Sequence, residues 1–480
     1  MVSSFQPTPS RRQFLERAGL GCGSLALTSL LHQEGIVRAN TSTNPLAPRP
    51  AHFAGKAKAV IWLFQTGSPS QVDTFDYKPT LQKRDGTKLA GADPKTGFFT
   101  TSGNCLGSPF KWAQHGQSGA WTSEIFPHLS QHVDDMAFIY SCYSMSNNHT
   151  PAMLEMNSGM IRQGFPSMGS WATYGLGSES DNLPGFVVMH GTKPRGADPV
   201  WSSGYLPSVY QATALDPRQA APIANLARHP ELNQVQQRSL LDALNRANAE
   251  HAAERAYDQD LAARLESFEL AYRMQTAAPE AFDVAREPQH VQEAYGLNLE
   301  DSADYGKQCL IARRLVERGV RFVQVFASCP KTPGGAVADV PWDAHGDINA
   351  NHRQCAQTVD QPSAALLADL KARGLLDQTL VIYGGEFGRT SDSQDSKGRD
   401  HNPNSFTTWL AGGGIKGGTQ YGKSDEFGYK AVENRVNAHD IHATVLHLLG
   451  LDHEKLTYRF NGRDFRLTDV AGEIIRPILA

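Results

Sequence analysis

Short apolar runs that break into polar loops alternate along this chain with stretches whose apolar residues return every three or four positions. Ala59–Phe64, Met136–Tyr140 and Phe186–Met189 are runs of the first kind, and so are Val320–Phe326 and Thr379–Tyr383. Their length and flanking turn residues predict buried strands. The three- and four-residue rhythm predicts helices over Gln308–Arg318, Ser363–Arg373 and Ile441–Leu449. The last has Asp440 as its expected N-cap and Gly450 just past its end. Strand and helix in alternation predict an α/β fold, a doubly wound and mostly parallel sheet flanked by helices. Ligands of such sheets bind outside the carboxyl ends of the strands.

The alternation is interrupted once. From Leu232 to Phe282 the sequence is rich in Ala, Gln, Glu, Arg and Leu and poor in Gly. This predicts a helical pair, inserted into the sheet domain over about residues 228–290. The sheet domain then spans 58–480, and the Pro-, Ala- and Thr-rich stretch 40–57 reads as a linker.

Composition narrows the function classes. Of 480 residues, 40% are hydrophobic and 20% charged, which excludes wholesale disorder. The net charge of −4 lacks the basic surplus of a nucleic-acid binder. No apolar run reaches the roughly 18 to 20 residues of a transmembrane segment. Cys105, Cys142, Cys309, Cys329 and Cys355 contain no CxxC pair, so a zinc ribbon has no support.

Residues 1–39 read as an export signal. Ser10-Arg11-Arg12-Gln13-Phe14-Leu15 resembles the twin-arginine motif, a modest apolar stretch follows from Ala18 to Leu31, and Val37-Arg38-Ala39 fits a cleavage site. The expectation is a periplasmic or secreted protein, cut after Ala39 and handled by the twin-arginine translocation machinery.

Five polar clusters follow the predicted strands. They are Asp73 with Asp76, Asn147 to Pro151 around His149, Trp342 to Asp347 around Asp343 and His345, Gly385 to Thr390 around Glu386 and Arg389, and Gly398 to Pro403 around Asp400 and His401. Carboxylates and imidazoles gathered on one rim are the donor set of a divalent ion; without thiolate they suit Zn, Mn, Mg or Ca. Each cluster taken singly is a common turn or a local hydrogen-bonding loop.

The order of these pieces resembles the alkaline phosphatase and sulfatase superfamily, and more closely the domain-of-unknown-function family 1501. The resemblance covers roughly residues 58–455. It is carried by Val72-Asp73-Thr74-Phe75-Asp76, Arg313 to Phe322, Trp342-Asp343-Ala344-His345-Gly346-Asp347, Gly385-Glu386-Phe387-Gly388-Arg389-Thr390 and Gly398-Arg399-Asp400-His401. It implies an alkaline-phosphatase-like fold with one or two divalent metal ions and an anionic ester substrate.

Residue by residue, the resemblance makes Asp343, His345, Glu386 and His401 metal ligands, with Asp400 a ligand or a neighbour of one. His149-Thr150-Pro151 looks like the sulfatase nucleophile segment. There His149 is a metal ligand, a nucleophile or acid/base group, or a structural residue, and Thr150 is the fallback nucleophile. Asp73 or Asp76 would replace the ligand missing at Gln65, and Arg389 would neutralise the bound anion or form a salt bridge. Three positions depart from the superfamily pattern. Gln65 stands where an Asp is usual, Met153 where an Arg is usual, and Phe387 where a His is usual.

Two functions follow. The first is an exported metal-dependent hydrolase of phosphate or sulfate esters, acting on small esters or on sulfated or phosphorylated polymers. The alternative is a non-catalytic binding or surface-assembly protein on the same fold. Gly417 to Ser424 matches the spacing of a phosphate loop, but the acidic turn after it offers no helix to complete one.

Overall fold

The computed structural model describes residues 44–480, except 90, 94, 220, 224, 225, 254–258, 335 and 396, and gives backbone only for 251–253 and 259–266. The segment expected as an export signal lies outside the described residues. Pro45–Ala480 is one compact unit.

Its centre is an eight-stranded sheet. The strands are β1 (Ala59–Phe64), β2 (Met136–Cys142), β3 (Phe186–His190), β4 (Thr213–Leu215), β5 (Phe322–Phe326), β6 (Thr379–Gly384), β7 (Phe406–Ala411) and β8 (Thr419–Tyr421). Their order is β8-β2-β7-β6-β1-β5-β3-β4. Only β7 runs against its neighbours, β2 and β6; the remaining pairs are parallel.

β1 shows why a continuous apolar run becomes the middle strand. Successive side chains of a strand point to opposite faces. Val60, Trp62 and Phe64 join one core, while Ile61 and Leu63 join the other. The first core is closed by α1 (His149–Ser158) and α2 (Met168–Leu176), and by α7 (Ala438–Leu448) late in the chain. The second is closed by α5 (Ala303–Glu317) and α6 (Ile348–Ala372). A sheet covered on both faces has no polar side, so its strands carry no alternation.

The expected helical pair is α3 (Gln234–Ala253) and α4 (Gln259–Phe282). Met274, Ala278 and Ala281 of α4 are buried against the second core, and Arg314 donates to the Ala281 carbonyl at 2.9 Å. Among the described residues no helix is long and apolar enough to cross a membrane.

Local departures from the sequence reading have physical causes. α6 begins 15 residues before the expected Ser363. Asp347 caps it by accepting the Ala350 N–H at 3.0 Å, and the helix carries Pro362 in its interior. Burial of Val359, Leu366, Leu367 and Leu370 outweighs the hydrogen bond that the proline removes. The cap of α7 is Asn437, with Asp440 completing a reciprocal capping box from the third helical position. The Pro-rich stretch read as a linker packs on the domain from residue 45 onward. The N–H of Arg49 reaches the Leu176 carbonyl, and those of Lys56 and Ala57 reach the Leu448 carbonyl. In the phosphate-loop-like segment, Lys423–Ser424 is a short strand followed by a turn where a nucleotide site needs a helix, and Lys423 pairs with Glu433 at 2.9 Å.

Candidate metal centre

Parallel strands deliver their carboxyl ends to one rim. β2 leads to His149, the first residue of α1. β5 leads, through a long loop, to Asp343 and His345 just before α6. β6 leads directly to Glu386. His401 sits in a two-stranded ladder with Arg389, immediately before the reversed strand β7. Residues up to 252 positions apart, His149 and His401, thereby come within ring contact, their centroids 4.5 Å apart.

Three imidazoles face one carboxylate. His345 Nε2 lies 2.9 Å and His401 Nε2 3.1 Å from Asp343 Oδ1. His149 Nε2 lies 3.3 Å from Asp343 Oδ2. The two nitrogens of His345 and His401 are 3.1 Å apart. Each ring has its other nitrogen against an oxygen. His149 Nδ1 meets Glu386 Oε1 at 2.6 Å, His345 Nδ1 meets Gln394 Oε1 at 2.5 Å, and His401 Nδ1 meets the Asn147 carbonyl at 2.6 Å. An Nδ1–H donated outward fixes the tautomer and turns the Nε2 lone pair inward. Imidazole nitrogens gathered on one carboxylate are a donor set that could hold a metal ion.

The electrostatics follow from burial against charge. Burial alone would raise Asp343, but the Arg389 guanidinium and contacts to the three histidines hold it well below the usual carboxylate range. Arg389 Nη2 is 2.7 Å from Asp343 Oδ1. Burial pushes His401 down to about 3 against the pull of Asp343. His149 goes the other way: its burial is outweighed by Asp343 and Glu386, which together raise it.

The donor set fits a divalent ion. His149, Asp343 and His401 each present one ligand atom, all within 4.8 Å of one another, and all three residues are buried. Zinc–nitrogen bonds of 2.0 to 2.1 Å put tetrahedral ligand atoms about 3.3 Å apart, close to the spacing found here. Glu386 Oε2 and His149 Nε2 are buried without a hydrogen-bond partner. A second grouping of His345, Asp400 and His401 meets the same distance condition, but Asp400 is already engaged. It accepts the His401 N–H at 2.7 Å and the Phe99 N–H at 2.6 Å, and it lies on the Nδ1 side of His345.

Several sequence-nominated residues stand elsewhere. Asp73 does not reach the centre. It is fully buried against Arg399, at 2.6 and 3.2 Å, and accepts the Ser70 hydroxyl at 2.5 Å. A metal site built on Asp73 and His149 is therefore not formed. Asp76 is occupied by Lys78 and Ser424. Glu386 sits behind His149, sharing its Oε1 with the Gly67 N–H at 2.9 Å, so it orients an imidazole. Arg389 is fully buried, with its guanidinium on Asp343 and on the carbonyls of Gly67 and Ser68. Thr150 is half-buried in the first turn of α1, whose N-terminus no side chain caps.

The three departures have packing explanations. Gln65 turns inward to accept the Trp342 indole N–H at 3.1 Å. Met153 is buried in the first core. Phe387 packs its ring on His149 and His401, with centroids at 4.9 and 4.7 Å. Gln394, which fixes His345, carried no signal in the sequence, because a glutamine in a polar loop marks nothing until its partner is known.

Among solved structures, the chain is similar to the lipoteichoic acid synthase LtaP from Listeria monocytogenes. The identity is 10% over 90% of this chain and 80% of that one, with a TM-score of 0.38. It is similar to the phosphonate monoester hydrolase SpPMH from Silicibacter pomeroyi, at 14% identity over 74% and 71% of the two chains and a TM-score of 0.36. It is also similar to a protein in the alkaline phosphatase superfamily from Vibrio parahaemolyticus, at 10% identity, 87% and 72% coverage and a TM-score of 0.35. Likeness of this size does not fix an activity. No curated protein matches the chain. A family model does, over residues 57–479, and the chain belongs to that family, described as "Protein of unknown function (DUF1501)".

Proposed function

We propose that this protein is an exported, metal-dependent hydrolase of phosphate or sulfate esters, with one divalent ion. The observation that carries the proposal is the convergence of three inward-turned imidazole nitrogens on Asp343 at the strand ends. His149, Asp343, His345 and His401 would hold the ion. When bound, it would polarise an ester oxygen and lower the barrier to attack by water. Zn and Mn suit three imidazoles and a carboxylate better than Mg or Ca do, because nitrogen donors favour them.

The chain's own groups supply the rest. Glu386, Gln394 and Asn147 orient the three rings. Arg389 keeps Asp343 ionised from behind. The free N–H groups at the start of α1 attract an anion beside His149, and Thr150 in that turn contributes a hydroxyl. Export through the twin-arginine machinery, placing the enzyme in the periplasm or outside the cell, belongs to the same proposal and rests on residues 10–39. It predicts a mature chain beginning at Asn40.

A non-catalytic binder on the same fold is the second reading, favoured by the burial of Arg389, whose guanidinium is committed to Asp343 and to backbone carbonyls. Elemental analysis of purified protein, with turnover of aryl phosphate and aryl sulfate, separates the two. Bound metal with turnover that disappears in Asp343→Ala supports the hydrolase. Bound metal without turnover of either ester supports the binder.

A further inference from the structure

Two phenylalanines stand half in water at the mouth of the centre. Phe98 and Phe99 are 49% and 50% exposed. Their rings meet edge to face, 5.1 Å between centroids. Phe98 leans on His401 at 5.6 Å, and Phe99 stands edge-on to His345 at 5.0 Å. Both of those histidines face Asp343.

Polar contacts, not burial of these rings, hold the loop in place. The Phe99 N–H donates to Asp400 Oδ2 at 2.6 Å. Asn147 Nδ2 donates to the carbonyls of Gly97, at 2.9 Å, and Thr96, at 3.3 Å. Gly97 lies so close to Asp400 that a Cβ there would come within 2.2 Å of its carboxylate. The loop is thus pinned to residues that also position His401, since the Asn147 carbonyl accepts His401 Nδ1 and Asp400 precedes it. Packing does not account for the two rings, whose free faces are turned to solvent beside the candidate ligands. Aromatic faces in such a corner take up another flat apolar face.

We propose that Phe98 and Phe99 form an aromatic corner that receives a ring carried by the ester, so that the protein prefers ring-bearing esters to small alkyl esters. This rests on the hydrolase reading for its kinetic consequence, but ring binding itself needs no catalysis. The shared chemistry is a flat ring with one apolar face, whether from an aryl group or from a pyranose.

The test uses the full-length mature protein and the variants Phe98→Ala, Phe99→Ala and the pair, whose exposed positions leave the core untouched. One arm measures binding of phenol and of methyl pyranoside to metal-stripped protein by saturation-transfer NMR. The other measures kinetics on phenyl phosphate, a pyranose phosphate and methyl phosphate, with the corresponding sulfates. The double variant should lose ring binding and raise KM for ring esters about tenfold, with kcat within about twofold and methyl esters unchanged. Loss for one ring type alone names the source. Ring binding that survives in the double variant, or an equal KM rise for methyl esters, overturns the corner. If the wild type turns over no ester, the hydrolase reading fails, and the NMR arm alone decides the corner.

Discussion

Two buried polar clusters lie on the rim of this sheet, and they balance charge in opposite ways. Around Asp73, one carboxylate meets one guanidinium, a serine hydroxyl completes the set, and the Arg399 donors left over reach the carbonyls of Thr390 and Leu106. Burial would raise Asp73, yet Arg399 holds it below its usual value. Around Asp343, three imidazoles and a carboxylate share a single guanidinium, and Glu386 stands behind with an orphaned oxygen. The first cluster is closed by its own side chains. The second leaves Glu386 Oε2, His149 Nε2 and Arg389 Nη1 without partners, and the acceptors among them are what a cation from outside can satisfy. A buried carboxylate is thus weak evidence for function by itself; its unmatched partners are the evidence.

The sharpest way to break this contrast is to remove an acceptor from the open cluster. Asp343→Ala or His401→Ala should abolish bound metal, measured by elemental analysis, and lower ester turnover by about a hundredfold or more. Asp343→Ala also strands the buried Arg389 and should lower the unfolding temperature, whereas thermal unfolding of metal-free His401→Ala should stay near that of metal-free wild type. If metal content survives both substitutions, the unpartnered acceptors have another purpose.

Next in size is the closed cluster. Arg399→Met leaves Asp73 charged and alone in the core, at an expected cost of about 3–5 kcal/mol. Denaturant unfolding would read it. The double variant Asp73→Leu, Arg399→Met should recover most of the loss, because a buried pair replaced by apolar groups is close to neutral. Metal content of whatever folds should match wild type. A destabilisation below about 1 kcal/mol would show that the pair is not desolvated as its burial indicates.

Sequence could not tell these clusters apart. Both read as acidic residues in loops after apolar runs. The strands were legible because an uninterrupted apolar run has few alternatives in a two-faced sheet. β1 and β6 appear at nearly the expected residues, as do the three strand ends that deliver His149, Asp343 and Glu386. Partnership was not legible. Asp73 finds Arg399 across 326 positions, and no local pattern distinguishes that carboxylate from Asp343. The resemblance offered Glu386 as a ligand, whereas its place behind His149 depends on how far the turn after β6 carries the side chain. Phe98 and Phe99 carried no signal in the sequence, because exposure, unlike periodicity, is not written along a loop.

A smaller effect tests orientation within the open cluster. Glu386→Gln keeps an acceptor for His149 Nδ1 but removes the charge that enhances the ring's basicity. Metal affinity should fall about 10- to 100-fold, read by competition with a chelating dye, while the protein still folds. Abolished binding would instead make Glu386 a direct ligand.

The smallest effect concerns proton uptake beside the closed cluster. His352 is fully buried, and its Nε2 accepts the Ser70 N–H at 2.8 Å while its Nδ1 faces Asn351 Oδ1 at 3.1 Å. Both nitrogens are committed in the neutral form. Burial pushes the ring down from 6.5 to about 3, outweighing the attraction of Asp73, with Arg389 and Arg399 also opposing the charge. Between those two values the unfolded chain holds a proton that the folded chain does not. Stability therefore falls as pH drops through this window, by about 1.4 kcal/mol per pH unit for one such group, and is indifferent to this group above it. Gln at position 352 can accept the same N–H without titrating. Urea unfolding of wild type and His352→Gln at pH 7 and pH 5 should show the variant losing less stability on acidification, by about the one-proton slope. Equal losses would mean that His352 takes up its proton inside the fold, and the first cluster would then be less closed than its geometry makes it.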